Sequence, residues 1–101
     1  MDIALVQINP VVGDIKWNAK KIIEIIKKAR ADIIVFPELS ITGYSPQDLL
    51  LKHNFIDKNM DALKKIIENT KNKAAIVGFI ERVYENLYNS AAIIRNQQII
   101  E

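Results

Sequence analysis

Glu38 is the residue of this chain best placed to do chemistry. It follows an apolar run that stops at a proline, Ile33-Ile34-Val35-Phe36-Pro37-Glu38. A carboxylate fixed at the end of a rigid element can take a proton from a nucleophile and return it to a leaving group. On placement alone, an acid after a buried strand serves more often as a solubilising group. The turn Ser40-Ile41-Thr42-Gly43 leads to Tyr44, an aromatic ring that could line a pocket or cover the core. Glu81, after Phe79-Ile80, is a candidate cleft carboxylate or a partner for a surface lysine. Asn89, in a strand otherwise rich in alanine and isoleucine, is a candidate hydrogen-bonding residue of structural character. His53 is the only histidine and has no cysteine or serine motif beside it. Trp17 reads as a packing residue near a helix start.

What the sequence lacks narrows the chemistry further. With no cysteine there is no disulfide, no thiolate metal site and no cysteine nucleophile within these residues. Gly13, Gly43 and Gly78 stand alone, so no glycine-rich phosphate loop is present. Ser40 and Ser45 lack a Gly-x-Ser-x-Gly setting. No pair of histidines or acids has metal-ligand spacing, and no metal site is expected.

The elements that must position Glu38 follow from patterning. A short, continuous apolar run reads as a strand covered on both faces, as in a parallel sheet between helices. Proline cannot donate to a ladder, so Pro37 ends the strand at residues 33–36 and leaves Glu38 at its carboxyl edge, where α/β proteins place ligands. Ile3-Ala4-Leu5-Val6-Gln7-Ile8 is a second such run, closed by Asn9-Pro10. Asp14 is a candidate cap for a helix over residues 16–30. In that helix Ile22, Ile25, Ile26 and Ala29 share one face, and Lys20, Lys21, Glu24, Lys27 and Lys28 the other. The order strand-helix-strand predicts parallel pairing through a crossover. Ser45-Pro46-Gln47-Asp48 has the cap, proline and acid of a helix start, with a short helix through Leu49-Leu50-Leu51. A longer helix carries Ile56, Met60, Leu63 and Ile67 inward. Residues 74–80 and 87–94 read as strands joined by a polar segment, and Arg95-Asn96-Gln97 as a hairpin turn into Gln98-Ile99-Ile100.

Composition excludes several classes of function. Half of the 101 residues are hydrophobic, enough for the core of one small domain. A net charge of +2, with the lysines scattered among acids, gives no nucleic-acid stripe and no polybasic membrane patch. No apolar run approaches the roughly 20 residues that span a bilayer. The opening Met1-Asp2-Ile3-Ala4 lacks a signal peptide's basic start, so a cytoplasmic protein is expected.

Three stretches taken together carry a resemblance. Ile33-Ile34-Val35-Phe36-Pro37-Glu38 with Thr42-Gly43-Tyr44 resembles the glutamate motif of the nitrilase, or carbon–nitrogen hydrolase, superfamily. Val6-Gln7-Ile8-Asn9-Pro10-Val11-Val12-Gly13-Asp14-Ile15, with Asn18 after it, resembles the opening of the glutaminase domain of the glutamine-dependent NAD synthetases. So does Thr42-Gly43-Tyr44-Ser45-Pro46-Gln47-Asp48-Leu49-Leu50. Val77-Gly78-Phe79 and Tyr88-Asn89-Ser90-Ala91-Ala92 are similar to later strands of that domain, so the resemblance covers nearly the whole chain.

The resemblance implies an α/β fold, the N-terminal part of a four-layer α-β-β-α sandwich, and a Glu-Lys-Cys catalytic set. In such a set a thiolate attacks the side-chain amide of glutamine, a carboxylate moves the protons and a lysine stabilises the oxyanion. Glu38 takes the carboxylate role, and Tyr44 resembles a residue lining the glutamine pocket. The family's lysine and cysteine motifs fall beyond residue 101. Residues 1–101 are therefore expected to be an incomplete portion of the glutaminase domain, inactive alone. No cofactor is expected in this segment, with ATP and Mg in a synthetase domain. Glutamine, deamido-NAD and ATP are the expected partners of the intact enzyme, a homo-oligomer that binds neither nucleic acid nor membrane. The alternatives are a stand-alone nitrilase-family amidase and a non-catalytic α/β binding module.

Overall fold

Two parallel crossovers followed by a hairpin build this chain, seen in a computed structural model that describes residues 1–43, 53–71, 73–84 and 86–100. Strands β1 (Ile3–Leu5), β2 (Ile33–Val35), β3 (Ala74–Val83), β4 (Asn86–Arg95) and β5 (Gln98–Ile99) lie in sequence order in one sheet. β1–β2 and β2–β3 pair in parallel, while β3–β4 and β4–β5 are antiparallel. Helices α1 (Ile15–Lys28) and α2 (His53–Glu68) form the two crossovers. They supply a helix layer on a sheet layer, two of the four layers that the resemblance implies. Among the described residues no helix is long and apolar enough to cross a membrane.

The register shows which face holds the core. Ala4, Ile34, Ala75 and Ile94 form one lateral row, and Val77 and Ala92 lie opposite each other on the same face. Against that face pack Ile22 and Ile26 of α1 and Ile56, Leu63 and Ile66 of α2, all fully buried. Burying each such side chain contributes about 1.5–3 kcal/mol. The Asp14 side chain caps α1 by accepting from the Trp17 N–H at 3.1 Å. At the other end Lys73 Nζ donates to the Ile26 carbonyl at 2.6 Å, satisfying one of the helix's free carbonyls.

Several expectations are corrected. Coverage of both strand faces is not met among the described residues, because α1 and α2 lie on the same side of the sheet. The row Leu5–Val35–Ile76–Ile93 points the other way, with Leu5 78% and Ile3 59% exposed. The expected connector after residue 80 is in fact strand. Glu81, Arg82 and Val83 continue β3 opposite Tyr88, Leu87 and Asn86, in a hairpin end exposed on both faces. The buried stripe of α2 is rotated from the expected one. Phe55, Ile56, Asn59, Ala62, Leu63 and Ile66 are buried, and Met60 and Ile67 only half-buried. The expected short helix through Leu49-Leu50-Leu51 lies outside the described residues.

Candidate active site

Pro37 ends β2, and the chain then folds back across β3. The Phe36 N–H still donates to the Ile76 carbonyl at 2.9 Å, the last bond before the proline removes a donor. Leu39 takes a left-handed conformation, φ 48°, which turns the chain, and the Gly43 N–H closes the loop on the Leu39 carbonyl at 2.8 Å. The loop lies directly on Gly78. A Cβ at Gly78 would sit 2.5 Å from the Leu39 nitrogen, 2.9 Å from the Pro37 oxygen and 3.1 Å from the Glu38 carbonyl carbon. Only hydrogen fits there.

The edge of β3 that β2 vacates is completed by other groups. The Ile41 N–H reaches the Gly78 carbonyl at 3.4 Å. Beyond it, buried Asn59 of α2 takes over both polar groups of Ile80. Its Nδ2 donates to the Ile80 oxygen at 2.6 Å, and its Oδ1 accepts from the Ile80 N–H at 3.2 Å. These groups would otherwise be unpaired in the core.

A second loop, residues 9–14, braces the first. Fully buried Asn18 accepts from the Val11 N–H at 2.8 Å and donates to the carbonyls of Val11 and Ile41, each at 2.8 Å. The Gly13 N–H donates to Thr42 O at 2.9 Å. Gly43 sits at φ 80°, where a Cβ would meet Val12 Cα at 2.7 Å, so glycine is required there on both counts. Residues 9–14 and Asn18, from the first stretch resembling the glutaminase opening, thus form the scaffold under the Glu38 loop.

Glu38 itself is exposed, at the lip of a cleft of about 220 Å³ lined by Phe36, Pro37, Ile76, Gly78, Asn89 and Ala91. Ser90 also borders it. Asn89 Nδ2 donates to Glu38 Oε1, joining residues 51 positions apart in sequence. Among the described residues Glu38 is the single ionisable one lining this cleft. The cleft opens on the sheet face that the helices leave bare, so the carboxylate stands where a substrate could approach it.

The remaining candidates fall elsewhere. Glu81 accepts from Ser90 Oγ at 3.0 Å, a bond across the hairpin, and does not line the cleft. Trp17 is 41% exposed on α1 with Lys21 Nζ 5.5 Å from its ring centre, a cation–π pair on the surface in place of the expected packing role. His53 opens α2. Tyr44 lies outside the described residues. Among those residues no three side chains of His, Asp or Glu converge as metal ligands. Asn89, read from the sequence as structural, lines the cleft and bonds to Glu38. The available signal was its two-residue step from Ala91, which puts both on the face that carries Gly78.

The sequence and the fold both match known proteins. A profile described as carbon-nitrogen hydrolase matches residues 2–101. The glutamine-dependent NAD(+) synthetase of Thermotoga maritima is 39% identical over 103 residues, covering 97% of this chain and 18% of that protein. The structure of glutamine-dependent NAD+ synthetase from Acinetobacter baumannii, in complex with ADP, superposes with a TM-score of 0.89 at 36% identity, over 99% of this chain and 20% of that one. The glutamine-dependent NAD(+) synthetase from Cytophaga hutchinsonii superposes at 0.91 with 24% identity, over 98% of this chain and 18% of that one. This chain therefore spans about a fifth of the length of these relatives.

Proposed function

The chain belongs to the carbon-nitrogen hydrolase family, and from that premise we propose that it is the first part of a glutaminase domain in which Glu38 is the general base. The observation that carries this reading is the seat of Glu38. It is held at the carboxyl end of β2, over a glycine that admits its loop, in a cleft that no other ionisable group among the described residues lines. A carboxylate so placed takes the proton of an attacking thiol as the sulfur bonds to the amide carbon of glutamine. It passes that proton to the departing nitrogen, which leaves as ammonia, and then takes a proton from the water that cleaves the thioester to glutamate.

The nucleophile has to come from outside residues 1–101, since these contain no cysteine. No lysine lines the described cleft, so the oxyanion-stabilising cation has to come from outside it too. Identity of 39% to a glutamine-dependent NAD(+) synthetase supports the next step of the reading. In that step, as we propose it for the intact enzyme, the ammonia released amidates deamido-NAD in an ATP- and Mg-dependent reaction elsewhere in the same protein. We place the intact enzyme in the cytoplasm, where both glutamine and ATP are available.

The test uses the full-length enzyme that carries these residues. Glu38→Gln keeps the shape of the side chain and removes its basicity. It should lower glutamine hydrolysis by about 10²–10⁴-fold, the usual contribution of general acid–base catalysis, while NAD formation from added ammonia continues. Hydrolysis at the wild-type rate would remove Glu38 from the chemistry. Residues 1–101 alone should release no ammonia from glutamine above background.

A further inference from the structure

We propose that Asn89 is the positioning residue for Glu38: it fixes which carboxylate oxygen faces the proton being transferred. The assignment rests on Glu38 being the base and adds a second residue to that site. Three observations carry it. Asn89 Nδ2 donates to Glu38 Oε1, and Oε2 has no hydrogen-bond partner among the described residues. Asn89 projects from β4 opposite Ile80, within ten consecutive pairs of the β3–β4 hairpin, so its own position is set by an unbroken ladder. Its neighbour two residues along the same face, Ala91, lies opposite Gly78, on which the Glu38 loop rests.

The chemistry of the pair explains why an amide suits this place. An ionised carboxylate only accepts hydrogen bonds, so the amide must present its NH₂ group, and a carboxamide has two such hydrogens to offer. The donor is neutral. It holds Oε1 without supplying a counter-charge, as a lysine would, and leaves Oε2 to receive the proton. A free glutamate side chain turns about three bonds, and only a few of its rotamers aim an oxygen into the cleft. Immobilising such a side chain ahead of the reaction lowers the entropic part of the barrier.

The experiment measures kcat and KM for glutamine hydrolysis, together with thermal melting, in the full-length enzyme. The variants are Asn89→Ala, Asn89→Asp and Glu38→Gln. Asn89→Ala should lower kcat by about 10- to 100-fold, the value of one hydrogen bond to a charged group, with KM and melting temperature unchanged. Asn89→Asp keeps the volume but sets a second acceptor against the first, so it should lower kcat at least as far. It also decides the matter if the alanine variant folds poorly. Wild-type kcat in both Asn89 variants, beside an inactive Glu38→Gln, overturns the positioning role and leaves Glu38 as the base. A raised KM at unchanged kcat also overturns it, because Asn89 would then be holding substrate. Normal turnover by Glu38→Gln overturns both assignments together.

Discussion

Gly78→Ala is the most demanding test of how Glu38 is placed. Gly78 is buried and does not have a positive φ, so alanine suits its backbone conformation, and the whole effect of the change comes from space. The added methyl would lie 2.5 Å from the Leu39 nitrogen, where ordinary contact begins at 3.4 Å. The difference, 3.4 minus 2.5, is about 0.9 Å, and the loop must retreat by that much. Side-chain rotation gives no relief, since the atoms met at Leu39, Pro37 and Glu38 are all backbone. Displacing a catalytic group by about 1 Å costs on the order of 10²-fold in rate, and overpacking costs about 1–3 kcal/mol of stability. Glutamine-dependent ammonia release in the full-length enzyme should therefore fall by about 10²-fold, and urea unfolding should show a loss of about 1–3 kcal/mol. Wild-type turnover together with wild-type stability would refute the claim that the loop rests on this glycine.

Two further changes separate structural polar groups from catalytic ones. Asn18→Ala strands the Val11 N–H and the Ile41 carbonyl at the loop junction, while the Val11 carbonyl keeps the Asp14 N–H. At about 1–3 kcal/mol for each unpaired group, urea unfolding should show a loss of at least about 2 kcal/mol, and a loss near zero would mean that water replaces the amide. Lys73→Met removes a donor from the last carbonyls of α1. Stability should drop by about 0.5–1.5 kcal/mol with kcat unchanged, and a large fall in kcat at unchanged stability would show that Lys73 takes part in the reaction.

The end of β2 was legible in the sequence because one residue type dictates it. A proline after an apolar run ends the ladder whatever surrounds it, and the position of Glu38 follows. The cap at Asp14 and the turn at Asn96-Gln97 were legible for similar local reasons, the latter with both residues at positive φ, 50° and 63°. Long-range partners were not. Asn59 falls among the apolar residues of α2, where a period of 3.6 registers only a polar interruption, yet it completes the edge of β3. The tip of the β3–β4 hairpin is solvated on both faces, so no alternation marked it as strand. The pairing of Asn89 with Glu38 depends on a sheet register that no local pattern encodes.

Three features place Glu38, and they differ in how they would fail. Pro37 ends the strand, and Gly78 lets the returning loop lie flat, so both act on the backbone. A replacement at either moves the Glu38 Cα. Asn89 acts on the side chain alone, and its loss leaves the Cα in place while freeing the carboxylate. Rate and stability should therefore fall together in backbone variants, whereas Asn89 variants should lose rate at constant stability. Plotting kcat against unfolding free energy for the whole series separates the two cases. If Asn89 variants fall on the line drawn by Gly78→Ala, the hydrogen bond is a packing contact, and the loop alone aims the carboxylate.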